Sequence, residues 1–145
     1  MAMISKSCEY GLRAVLYVAS RKTEEYLSIR EIADTLGISF HFLTKILQRL
    51  TEQGILQSYR GPSGGVTLAR PPTSVTLLDV ITAIEGVDMF SSCILGLSGC
   101  GEHKPCPLHQ QWAKERVRLK EVFRTTTLAT MSKSIRAHDW RLSDL

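Results

Sequence analysis

Apolar residues recur at helical spacing through most of this chain, and the runs between them are short and polar. From Cys8 to Ser20, Leu12, Val15, Leu16 and Ala19 fall at i, i+3, i+4 and i+7, which predicts a helix with one apolar face. Arg21-Lys22-Thr23-Glu24-Glu25 is a polar break. Ser28-x-x-Glu31 is a capping-box pattern. It opens a short helix with Ile32, Ala33 and Leu36 inward, ended by Gly37. Ser39 caps the next helix, whose face is Leu43, Ile46, Leu47 and Leu50, and Gly54 ends it. The period then changes. Ile55 to Tyr59 reads as a strand, Arg60-Gly61-Pro62-Ser63-Gly64-Gly65 as a turn, and Val66 to Ala69 as a return strand.

Pro71-Pro72 breaks the chain and begins a linker. Thr76-x-x-Asp79 caps a helix with Leu77, Val80, Ile81 and Ile84 inward, stopped at Gly86. From Pro107 to about Thr125 a long helix is expected. Trp112, Leu119, Val122 and Phe123 form its stripe, with Ala113 and Val117 beside it. Such a stripe in a short chain needs a partner surface, and a symmetric dimer is the natural use. Packing only on its own domain is the alternative. Thr126 to Arg136 adds a short helix, and the tail from Ala137 to Leu145 reads as frayed.

Two short helices around a glycine corner form a helix-turn-helix. A hairpin directly after the second helix makes it a winged helix. The expected fold is therefore mainly α with a small β wing: residues 1–75 a winged helix-turn-helix DNA-binding domain, residues 76–145 a cysteine-loop sensor and dimerisation region with a long dimerisation helix. His41, Thr44 and Lys45 on the outer face of the second helix are the candidate base contacts, and Gln48 and Arg49 the candidate phosphate contacts. Phe40 and Phe42 read as packing residues. Arg60 and Ser63 lie in the wing turn, where flanking glycines allow close approach to a groove or a phosphate. A solvated polar face is the plain alternative for all of these.

Between the fourth helix and the long one, the spacing is Cys93-x6-Cys100-x5-Cys106-x2-His109. Four donors this close can converge on one metal centre. Gly96, Gly99 and Gly101 let the backbone wrap around it. Pro107 suits the first position of a helix, which places Cys106 near the N-cap, where the helix dipole favours thiolate. The spacing alone leaves several readings open: an iron–sulfur centre, a structural zinc knot, a reversible thiol switch, or buried structural cysteines.

With 145 residues the chain is one ordinary domain, or a small domain with an appended element. It can bury a real core without disulfide staples. The start of the chain lacks an apolar signal region, and no run is long enough to span a membrane. The expected location is cytoplasmic, where thiols stay reduced and cysteines more often bind metal or react. The net charge is +4, with nine Lys/Arg against six Asp/Glu up to Val75 and nine against eight beyond it. This permits a nucleic-acid partner. Gly61, Gly64 and Gly65 do not precede a helix, so they form no phosphate loop. No paired acid–base motif is present, and an enzyme is not expected. A protein-interaction module without DNA binding is the minor alternative.

Several segments together resemble the Rrf-two family of bacterial winged-helix transcription regulators. Ser5-Lys6 with Tyr10-Gly11-Leu12-Arg13-Ala14 resembles its first helix. Ser28-Ile29-Arg30-Glu31-Ile32-Ala33 and Gly37-Ile38-Ser39 resemble its helix-turn-helix. Arg60-Gly61-Pro62-Ser63-Gly64-Gly65 resembles its wing, and Thr76-Leu77-Leu78-Asp79-Val80-Ile81 with Cys106-Pro107-Leu108-His109 completes the match. The resemblance implies a homodimeric repressor or activator at a palindromic operator, with the long helix as dimer interface. It implies a [2Fe–2S] or [4Fe–4S] cluster on Cys93, Cys100 and Cys106, responding to an oxidant or nitric oxide. The six residues between Cys93 and Cys100 are one more than in IscR-like members. The fourth ligand is His109 by analogy with those members, or Glu9 from the other subunit by analogy with NsrR-like ones. His109 is preferred, because its offset from Cys106 fits the motif and needs no second subunit.

Overall fold

A computed structural model describes residues 3–21, 24–101 and 103–144. The order is α1 (Lys6–Ser20), α2 (Ile29–Leu36), α3 (Phe40–Glu52), β1 (Leu56–Tyr59), β2 (Gly65–Leu68), α4 (Leu77–Glu85), α5 (His109–Thr125) and α6 (Leu128–His138). Single 3-10 turns lie at Pro72–Ser74 and Asp88–Phe90. The mainly helical fold with a small wing is the one expected. Lys22 and Thr23 of the polar break lie outside the described residues, as do Met1, Ala2, Glu102 and Leu145.

The caps set the boundaries. Ser5 accepts the Cys8 amide at 3.1 Å, so α1 starts two residues before the apolar pattern does. Ser28 accepts the Glu31 amide at 3.0 Å, but the Glu31 carboxylate turns to the Tyr17 hydroxyl at 3.1 Å. Only half of the expected capping box forms there. The box at Thr76 and Asp79 is complete. Ser39 makes no side-chain cap. Gly37 closes α2 at φ 67°, left-handed backbone that glycine adopts without a Cβ clash.

The long helix begins at His109, two residues later than Pro107. Its first α-type bond runs from the Trp112 amide to the Leu108 carbonyl at 2.9 Å, and Pro107 sits in the turn ahead. Cys106 therefore precedes the N-cap residue Leu108 by two positions, and the expected dipole effect on its thiol is weakened.

β1 and β2 pair antiparallel from Leu56 opposite Leu68 to Tyr59 opposite Gly65. Leu27 bridges Val66 and ties the wing to the α1–α2 connection. The core lies under α1, which packs against α3, α4 and α6. Cys8, Ala14, Val15, Leu43, Leu50 and Leu128 are fully buried there. α4 and α6 close the same core: Leu128 donates to the Val75 carbonyl and Leu77 to the Thr126 carbonyl, each at 2.9 Å. The tail is less frayed than expected, since Leu142 packs partly against this core. Among the described residues no helix is long and apolar enough to cross a membrane.

At Gly11, α1 lies close against Ile84 of α4 and Ile46 of α3. A Cβ there would collide with Ile84 and press on Ile46. Gly11→Val should overpack this crossing and lower stability by about 1–3 kcal/mol, measured by chemical denaturation.

Candidate nucleic-acid interface and cysteine centre

α2, the Gly37 turn and α3 form the helix-turn-helix, and the β1–β2 hairpin stands beside α3 as the wing. His41, Lys45, Gln48 and Arg49 are exposed along α3, and Arg60 and Ser63 are exposed in the wing turn. Thr44 is half-buried. Its hydroxyl donates to the Phe40 carbonyl at 2.7 Å, which leaves its oxygen free to accept but not to donate. Phe40 is half-buried, while Phe42 stays exposed and meets Tyr10 edge-on at 5.6 Å. Between α3 and the wing lies an open cleft of about 720 Å³, lined by Arg30, Phe40, Thr44, Gln48, Tyr59 and Arg60 among others. Arg30 stacks over the Phe40 ring at 4.2 Å. The pattern did not mark Arg30, because it stands on the first of the two helices. Neither Lys45 nor Arg60 pairs with a carboxylate among the described residues. Their charge remains available to an anionic partner.

Arg49 is differently placed from its neighbours. Its Nε donates to the Ala83 carbonyl in the last turn of α4, at 3.1 Å. Beside it, Glu85 accepts from the Ser5 amide at 3.0 Å and also takes the Ser5 hydroxyl. Neither contact has a local sequence signal, since the partners are 34 and 80 positions apart.

The loop from Cys93 to Cys106 gathers the expected donors into two pairs. Cys93 Sγ lies 3.6 Å from Cys106 Sγ, and Cys100 Sγ lies 3.3 Å from His109 Nδ1. The pairs adjoin, because Cys93 also interacts with Cys100 through their side chains. The backbone amides of Leu97 and Leu95 point at Cys93 and lower its pKa from the ordinary thiol value; the Leu95 contact is 3.4 Å. Burial raises that of Cys106. Gly101, at φ 81°, lies so close to the His109 ring that a Cβ would overlap it. Among the described residues no three His, Cys, Asp or Glu side chains converge on the position of one metal ion.

Cys8 stands apart from this centre. It is fully buried, and burial with the nearby Glu85 pushes its pKa up to about 12. Glu9 pairs with Lys6 of its own helix at 3.0 Å.

The loop is anchored to α5 by contacts that periodicity did not reveal. Trp112 Nε1 and an Arg116 guanidinium nitrogen both donate to the Ser92 carbonyl, at 2.9 and 3.1 Å. By spacing Trp112 belongs to the apolar stripe, although an indole N–H generally seeks an acceptor. Phe123 packs edge-on against Phe90 at 5.9 Å. The stripe therefore divides: Trp112 and Phe123 face their own chain, while Val117 and Val122 remain 69% and 56% exposed.

A family model described as "Rrf2: Iron-dependent Transcriptional regulator" matches residues 4–134. The chain belongs to the Rrf2 family. Among curated relatives of this Rrf2 regulator, a putative HTH-type transcriptional regulator of Aquifex aeolicus is 29% identical over 128 residues, covering 87% of this chain and 88% of that one. The solved structure of CymR, the global cysteine regulator of B. subtilis, matches with TM-score 0.76 and 29% identity, covering 92% of this chain and 98% of that one. T. potens IscR matches with TM-score 0.75 and 26% identity, covering 95% and 92%. The Rrf2 family and these neighbours are transcription regulators, not enzymes.

Proposed function

We propose that this Rrf2-family regulator binds double-stranded DNA as a homodimeric repressor at a palindromic operator, and that a [2Fe–2S] cluster on its cysteine loop sets its affinity. Residues 1–75 carry the reading head, and residues 76–145 the sensor and dimer surface. It works in the cytoplasm, with an oxidant or nitric oxide as the signal. His41, Thr44 and Lys45 face base edges, Gln48 lies nearer the phosphates, and Arg60 and Ser63 follow the backbone from the wing. Arg60→Ala should weaken binding across sequences and reduce the log–log salt slope by about 1, whereas Lys45→Ala should cost about 1–3 kcal/mol and relax discrimination at one operator position, both measured by fluorescence anisotropy.

The observation that carries the cluster assignment is the pairing of donors. A two-iron cluster takes two protein ligands at each iron, and a pair of histidines can replace a pair of cysteines at one iron of such a cluster. Cys93 with Cys106 and Cys100 with His109 make two such pairs. A structural zinc instead needs four donors around one point. The place of His109 beside Cys100 supports it as fourth ligand over Glu9 of the other subunit. When bound, the cluster supplies a centre whose charge and ligation respond to oxidants. The chain's own part is to hold three thiolates and an imidazole on a loop anchored to α5. Anaerobic purification followed by an absorption spectrum and iron and sulfide analysis tests this. Matched iron and sulfide with visible absorption are expected; colourless, iron-free protein overturns the assignment.

One observation favours a second reading. The Cys93–Cys106 separation of 3.6 Å is short enough for a reversible disulfide after modest movement. A structure of Staphylococcus aureus CymR, 26% identical to this chain, is described as an oxidised form. On that reading the protein is colourless and loses two hydrogens per chain on oxidation, which intact mass measures.

A further inference from the structure

The segment from Ala83 to Ser92 is fastened at both ends. At its start, the Ala83 carbonyl accepts from Arg49 on α3, the recognition helix of the DNA-binding reading above, and Glu85 holds the N-terminus of α1 through Ser5. At its end, the Ser92 carbonyl receives Trp112 and Arg116 from α5, and Phe90 packs on Phe123. Between these points the Ser92 amide and hydroxyl both close onto the Asp88 carbonyl, at 2.9 and 2.7 Å, in a tight turn. The next residue is Cys93.

We infer that residues 83–92 form a strap that couples the cysteine centre to the recognition helix, with Arg49 as the positioning residue at its far end. The inference rests on the DNA-binding reading above and gives Arg49, a candidate phosphate contact by sequence, a place on α4 instead. Ala83 lies in the last turn of α4, where carbonyls lack intrahelical donors and a cation is favoured. Arg49 supplies both, so its Nε is committed to α4. A shift of the loop at Ser92 moves the strap, and the strap moves the carbonyl that orients α3. The pull is reciprocal: whatever the loop does to DNA affinity, DNA must do to the loop by the same factor.

That reciprocity gives a test on reduced, metal-free protein at low ionic strength. The probe is a duplex enriched from a random-sequence pool by the wild-type protein. Amide hydrogen exchange is followed by mass spectrometry with and without this duplex. In wild-type protein, exchange across residues 86–93 should change by about fivefold or more, while α6 stays as it was. In Arg49→Gln that response should vanish and the salt slope of binding should stay unchanged.

An unresponsive strap in wild-type protein overturns the proposal, and this arm decides the matter even if the variant does not fold. A variant that keeps the response and loses about 1 from its salt slope makes Arg49 an ordinary phosphate contact, which also overturns it. Failure to enrich any duplex defeats the DNA-binding reading itself and the strap with it.

Discussion

Cys100→Ala should purify anaerobically without iron or sulfide and still fold. The thiol is half-buried in a loop outside the main core, so little packing is lost with it. What is lost is one donor of the Cys100–His109 pair, and the imidazole is left without its thiol partner. Denaturation of the metal-free variant should fall within about 0.5 kcal/mol of metal-free wild type, as for changes away from the core. Cys8→Ala is the opposite control. That thiol is fully buried among α1 core residues and held protonated by burial, so its replacement should cost about 1 kcal/mol and leave iron untouched. Iron and sulfide analysis with denaturant melts of both variants separates a metal ligand from a core cysteine. Equal iron in Cys100→Ala and wild type would remove Cys100 from the site.

Val117→Glu combined with Val122→Glu should convert the proposed dimer to a monomer. α5 has no fully buried residue in the single chain, and both of these valines are exposed on it. Its ion pairs, Arg118 with Glu115 and Arg124 with Glu121, show that the polar face is already satisfied within the helix. In a twofold interface each glutamate meets the same surface of the second copy, so the charges are buried together and repel. Sedimentation should report one chain per particle. Affinity for a palindromic duplex should fall by more than about a hundredfold, which corresponds to ~2.8 kcal/mol. A wild-type protein that already sediments as a monomer would give α5 an intrachain role only.

Much of the fold was legible because its cues are local. The spacing of Leu43, Ile46, Leu47 and Leu50 marked a helix face, and all four are buried. Thr76 and Asp79 formed the expected box within one turn. The hairpin followed from the glycines and proline between two β-prone runs. The misses share a different cause. The first turn of α5 depended on which carbonyl the Trp112 amide would find. Glu31 left its cap for Tyr17, a residue 14 positions away. The grip of Arg49 on Ala83, and of Trp112 and Arg116 on Ser92, exists only after the helices pack. For the cysteine site, spacing showed that four donors were near one another in the chain. The grouping of Cys93 with Cys106 and of Cys100 with His109 required the turns of the loop itself.

The cysteine centre, on the proposed function, sets DNA affinity. One anaerobic preparation tests it most directly, titrated against the enriched duplex before and after its iron is removed by a chelator. The two dissociation constants should differ by about fivefold or more, the range of ordinary allosteric coupling. Identical constants for the iron-loaded and iron-free forms would contradict a link between the cysteine centre and DNA affinity, however tightly either form binds.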